Sequence, residues 1–289
     1  MNKTKQKILL EEFPSSRTRC LYQEFKHAWD KTSNDEKKKW AIDSLKRFGE
    51  VTYRRGKGLV KAVFYLSRNI LKEGKSFGVA IYNKETKNYL IDRKDKGFDF
   101  IVNGAKSSKK MVANLYSMLK SNPKDIAPLI FLGVLGFFMG AGMQVGEKTF
   151  YDIDGGIPDL DWKVGQFTDI DLLKHRSPFF HSIISAAVLE TMVFTSVSAI
   201  HIIHSKLPEK HDMFWDKVVS KTNWAEAFVT GACTGIAYHL LLDGTLDGGG
   251  HLTGLRSTFD ISIPQESHQA FFIVNAAAEA LDLNKKKMK

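Results

Sequence analysis

The run PLIFLGVLGFFMGAGMQV, Pro128 to Val145, holds eighteen residues without a charge, and no other feature limits the fold as much. Its length is at the lower limit for crossing a hydrocarbon core about 30 Å thick. Such a segment must be a helix buried among other helices or a helix in contact with lipid. Its glycines at 133, 136, 140 and 142 suit the close approach of a neighbouring helix backbone. Two further apolar stretches, Ser182–Ile203 and Trp224–Leu242, each carry an acid and a histidine: Glu190 with His201, and Glu226 with His239. Ionisable groups inside apolar helices are costly unless they are paired or functional.

Charge divides the chain near Asn122–Asp125. Residues 1–125 hold 29 Lys+Arg against 14 Asp+Glu, whereas residues 126–289 hold 13 against 18, so a net charge of +10 hides halves of +15 and −5. Eight of the nine histidines fall in the second half, away from the basic residues. The two cysteines, Cys20 and Cys233, are too few for a disulfide framework or a cysteine-only zinc site. The first residues, MNKTKQKILLEEF, reach two glutamates after three apolar residues and make no signal-peptide h-region.

Residues 1–125 are expected to form a basic α+β accessory domain. Leu21, Phe25, Ala28 and Trp29 recur at helical spacing, and Trp40, Leu45 and Phe48 follow a cap candidate at Ser33/Asn34, giving two or three amphipathic helices up to Leu71. Between Phe77 and Phe100 the period shifts toward two, with Asn83–Lys87 as a polar turn, and a β-hairpin is expected there. A basic surface with aromatics invites nucleic acid, but no RNP, KH, zinc-finger or helix-turn-helix spacing supports it, and anionic lipid fits better beside so apolar a neighbour. Residues 126–289 are expected to form a helical, membrane-associated domain, so the fold class is mainly α. Lys106, Lys109, Lys110, Lys120 and Lys124 precede the first apolar helix and acids follow it, which places the basic part on the cytoplasmic side if that helix spans.

Three polar clusters flank the apolar helices. In YDIDGGIPDLDW, Gly155, Gly156 and Pro158 force a turn from which Asp159 and Asp161 project. HRSPFFHS supplies His175, Arg176 and His181, and in YHLLLDG His239 and Asp243 stand four apart on one helix face, a half-site for zinc or manganese. Buried on an apolar helix, that pair needs a cation or partner to compensate it.

The ordered trio PDLD (158–161), HRSPFFHS (175–182) and YHLLLDG (238–244) resembles the bacterial membrane-bound metal-dependent hydrolases, whose pattern is PD(I/L)D, HRG-x-THS and GxxxHLLxD, and which are distantly similar to zinc-dependent phospholipase C. The resemblance covers about residues 126–255. It implies that Asp159, His175, His181, His239 and Asp243 ligate a divalent metal, with Asp161 as general base or ligand to a second metal and Arg176 holding a phosphate. The imidazoles favour zinc, with manganese or iron as alternatives. The implied activity is hydrolysis of a phosphoester, with a membrane phospholipid as the natural substrate class, at the bacterial inner membrane. Pro178 and Phe179 depart from the family pattern, and residues 126–158 lack the histidine many members carry. A non-catalytic membrane effector with a structural metal and a partner-binding basic domain is the alternative.

Overall fold

A computed structural model of the chain describes residues 16–142, 156–160, 166–167, 179–245 and 265–286. Among those residues the regular elements are all helices: α1 (Ser16–Lys31), α2 (Asn34–Tyr82), α3 (Thr86–Ser121), α4 (Pro123–Ala141), α5 (Ile183–Ser205), α6 (Phe214–Val219), α7 (Thr222–Thr245) and α8 (Gln265–Lys286). The mainly α expectation holds.

The expected hairpin between Phe77 and Phe100 does not form; α2 continues to Tyr82 and α3 begins at Thr86. The polar residues taken for a strand turn instead close a helix. Lys84 adopts a left-handed φ of 60°, its N–H donates to the Ile81 carbonyl (3.1 Å), and the Glu85 N–H donates to the Ala80 carbonyl (2.7 Å). This pair of bonds is a Schellman motif, which satisfies carbonyls that a helix end would otherwise leave open. Phe77 then packs on Tyr89, whose hydroxyl donates to Glu73, so α2 and α3 form a helical hairpin. The cap expected at Ser33/Asn34 does form: Ser33 Oγ accepts from the Glu36 N–H, and Glu36 returns a carboxylate to the Ser33 N–H.

The bundle core lies between α5, α7 and α8, where Ala186, Val229, Cys233, Ile236, Leu240, Phe272 and Ala276 are buried together. Glycines bring α4 and α7 into parallel backbone contact. A Cβ added at Gly136 would sit 2.2 Å from the Phe228 carbonyl oxygen, at Gly140 2.1 Å from that of Ala232, and at Gly235 2.2 Å from that of Phe137. The Gly136/Gly140 and Gly231/Gly235 pairs, each with four-residue spacing, thus mesh as small residues do between membrane helices. The outer face of α4 leaves Phe131, Val134, Leu135 and Met139 exposed.

The change of charge near residue 125 is not a boundary in packing. Along α2, Trp40 Nε1–H donates to the Thr195 carbonyl of α5 (3.2 Å), and Gly58 approaches the Ala278 carbonyl of α8. Between these points Arg55, 1% exposed, contacts Glu190 (2.7 Å), Glu279 and Cys233 Sγ (3.3 Å), and Arg54 bridges Glu190 and Asp282 at 2.8 Å each. Glu190, the costly acid inside an apolar helix, is therefore neutralised by the basic half of the chain. Of the other ionisable groups noted in such stretches, Glu226 and His201 are exposed and His239 is buried.

Candidate metal centre

Three sequence-distant segments meet at the end of the bundle where α4 stops. Gly142 ends α4 in the left-handed conformation (φ 75°), and its N–H donates to the Phe138 carbonyl. The turn that carries Asp159 docks directly on this end: the Ile157 N–H donates to the Met139 carbonyl (2.9 Å), and Gly156, at φ 86°, leaves so little room that a Cβ would lie 2.5 Å from Gly142 Cα. Only glycine meets both demands at that position. Ser182 caps α5 through its Oγ, which accepts the Ile184 N–H, and so places His181 just outside the helix start. His239 and Asp243 share a buried face of α7, as their spacing predicts.

Asp159, His181 and His239 each offer a ligand atom within 4.8 Å of the others. His181 Nε2 lies 3.5 Å from Asp159 Oδ1 and 3.8 Å from Asp243 Oδ2, and His239 Nε2 lies 4.0 Å from Asp159 Oδ2 and 3.4 Å from Asp243 Oδ2. Donors bound to one zinc at roughly 2.0–2.2 Å in a tetrahedron stand about 3.3–3.5 Å apart. Asp159, His181 and His239 thus stand somewhat wider apart than donors on one ion, and Asp243 lies beside both imidazoles at 3.8 and 3.4 Å. The histidine side chains are sealed, 0% and 2% exposed, whereas Asp159 keeps 15% of its surface open.

The tautomer of His239 follows from its second contact. Nδ1 lies 3.2 Å from the Ala141 carbonyl, which can only accept, so Nδ1 donates there and Nε2 faces the cluster. A metal-binding histidine held by a backbone carbonyl on its other nitrogen is the common outer-sphere arrangement. The end of α4 thus aims His239 through Ala141 and Asp159 through the Gly156–Ile157 turn.

Asp159, His181, His239 and Asp243 come together; Asp161, His175 and Arg176, also expected at the site, lie outside the described residues. Other contributors were not anticipated. Phe272 packs edge-on against His181 (6.1 Å between centroids), and Asn275 Oδ1 accepts the Ile183 N–H (3.1 Å), anchoring the first turn of α5. Their signal was present in AFFIVNAAAEAL, where Asn275 and Glu279 are the polar residues of an apolar stretch and stand four apart on one face. The Ala141 carbonyl, as backbone, has no signal in a sequence beyond the helix end that Gly142 marks.

Neither a family model, nor a curated protein, nor a solved structure matches the chain.

Proposed function

We propose that this protein is a metal-dependent hydrolase of phosphoesters that works at a membrane surface, with zinc as the preferred ion. The observation that carries the reading is the meeting of two imidazoles and two carboxylates, from three segments spread over residues 159–243, with imidazole–carboxylate spacings of 3.4–4.0 Å in a nearly closed site. The trio PDLD, HRSPFFHS and YHLLLDG, with its resemblance to membrane-bound metal-dependent hydrolases, supports the same reading.

Asp159, His181, His239 and Asp243 would hold the metal. When bound, a divalent cation there supplies Lewis acidity toward a phosphoryl oxygen and lowers the pKa of water. His239, fixed by Ala141, presents its Nε2 and does not rotate away. Asp159, on the more open side, faces the direction from which substrate and water arrive. In this reading Asp161 takes the proton from the attacking water, His175 adds a further ligand, and Arg176 holds the phosphate through its planar guanidinium.

Membrane contact is assigned to α4. Three helices, α4, α5 and α7, are long and apolar enough to cross a membrane. Of these α4 is the least enclosed, and its exposed Phe131, Val134, Leu135 and Met139 form an apolar stripe. The strongly basic α2, which packs on α5 and α8, suits the headgroups of an anionic cytoplasmic leaflet. Phospholipid reaching the site from the α4 side is the substrate class this arrangement favours.

The test is hydrolysis of phosphatidylcholine in mixed micelles, beside a chromogenic phosphodiester, by zinc-reconstituted full-length protein and its Asp159→Asn and His181→Ala variants. Turnover abolished by chelator and by both variants is the expected result. Zinc-loaded protein with no turnover on any phosphoester would overturn the hydrolase reading and leave the membrane effector.

A further inference from the structure

A second group of metal-capable side chains lies at the other end of α5, remote from the Asp159 site. His204 stands in the last turn of α5, His211 in the connection at 206–213, and Asp216 in α6, and their ligand atoms all lie within 4.8 Å of one another. Both imidazoles direct Nε2 at one oxygen: His204 Nε2 is 2.8 Å and His211 Nε2 3.2 Å from Asp216 Oδ1.

His211 is held at both ring nitrogens. Its Nδ1–H donates to the Pro208 carbonyl at 2.8 Å, and without a metal Nε2–H donates to Asp216 at 3.2 Å, contacts that raise its pKa above the ordinary value. A divalent ion would take the place of that Nε2 proton and serve His211, His204 and Asp216 together, the two rings standing 5.6 Å apart between centroids. This is the outer-sphere pattern seen at His239, a backbone carbonyl on Nδ1 with Nε2 left for a metal.

The ligands are also held in place without the ion. From α1, Glu24 accepts the Asp212 N–H and the Trp215 Nε1–H at 2.9 Å each, and Arg17 grips both oxygens of Asp212 at 2.9 and 3.0 Å. Asp212 in turn accepts the Phe214 N–H (2.8 Å) at the start of α6. The connection is thus braced immediately after His211, so little ordering of that segment remains to oppose binding. The His211–Asp216 distance already approaches an edge of a zinc polyhedron, and His204 would withdraw by roughly 0.5 Å.

We infer that His204, His211 and Asp216 form a second, surface zinc-class site that pins the end of α5 to α6, independent of the Asp159 site. The ion has three protein ligands, with water completing its shell. This site is structural or regulatory, because its ligands sit on a braced surface connection, with the Asp216 side chain 56% exposed.

Metal-stripped full-length protein in detergent would be titrated with Zn²⁺ near pH 7.5, with bound metal counted after gel filtration. The variants are His204→Gln/His211→Gln, whose amides can still donate to Asp216, and Asp216→Asn. Circular dichroism and Trp215 fluorescence check folding. Both variants are expected to bind about one zinc fewer than wild type, and wild-type protein alone should gain thermal stability from this equivalent. Folded variants with the full wild-type zinc complement would overturn the proposal, and so would a deficit that His239→Ala/Asp243→Ala produces and the His204/His211 variant does not.

Discussion

Replacing Gly140 with alanine would test whether helix contact and metal binding are one mechanism. The new methyl would stand 2.1 Å from the Ala232 carbonyl oxygen and 2.9 Å from the Ile236 nitrogen, both backbone atoms that cannot turn aside. Because carbon and oxygen normally approach to about 3.3 Å, α4 must retreat from α7 by roughly 1 Å. Overpacking of this kind costs about 1–3 kcal/mol, partly offset by about 1 kcal/mol from removing a helical glycine. The same retreat carries away the Ala141 carbonyl, whose bond to His239 Nδ1 is already 3.2 Å. Loss of such an outer-sphere contact lowers metal affinity by about 10–100-fold. Gly133 is the control, since a Cβ there meets the Ala227 oxygen at an ordinary 3.6 Å. Zinc affinity by chelator competition and thermal melts should show Gly140→Ala weakened in both and Gly133→Ala unchanged in affinity. Equal zinc affinity in Gly140→Ala and wild type, or equal damage from both substitutions, would refute the coupling.

Other outcomes follow from the charge cluster and from the end of α2. Arg55→Met should destabilise the protein by about 3–5 kcal/mol, because it leaves buried carboxylates without their cation, and Arg55→Met/Glu279→Met should recover much of that loss in chemical denaturation. Burial pushes the Glu279 carboxyl up to about 7, with Asp282 and Glu190 adding to the rise and Arg55 opposing it. Its contribution to stability is therefore present in full below the ordinary value of 4.5 and lost as pH rises through 7, so melting temperature should fall between pH 5.5 and 8 more in wild type than in Glu279→Gln. Lys84→Gly should stabilise the α2 end by about 0.5–1 kcal/mol in urea unfolding, since Lys84 occupies the left-handed position of a Schellman cap; a loss of stability would contradict that assignment.

The parts legible from the sequence were those set by local chemistry. The capping box at Ser33 and Glu36, the apolar helices and the shared face of His239 and Asp243 each depend on spacing within a few residues. The stretch FGVAIYNKET misleads because β-branched and aromatic residues before a polar turn suit either a strand or the last turns of a helix. The Lys84 cap decides for the helix. Charge composition suggests two separate parts, yet Arg55 is buried and Arg54 half-buried against α5 and α8. Composition reports average surface character, whereas Arg55 of the RRGKG segment becomes a core residue, with Arg54 at its edge, because Glu190, Glu279 and Asp282 await them from distant sequence. Asp159, His181 and the HxxxD pair could be named from their motifs. The end of α4 that aligns them could not, because its contribution is made by carbonyls and by the absence of side chains.

The most direct test of the account is the metal content of purified full-length protein beside its His239→Ala/Asp243→Ala variant, both carrying His204→Gln/His211→Gln so that only the buried site reports, and both shown to be folded by circular dichroism. The account predicts about one or two equivalents of zinc in the parent and none in the variant. Folded parent that takes up no zinc on reconstitution, or a variant that holds as much as the parent, would contradict it.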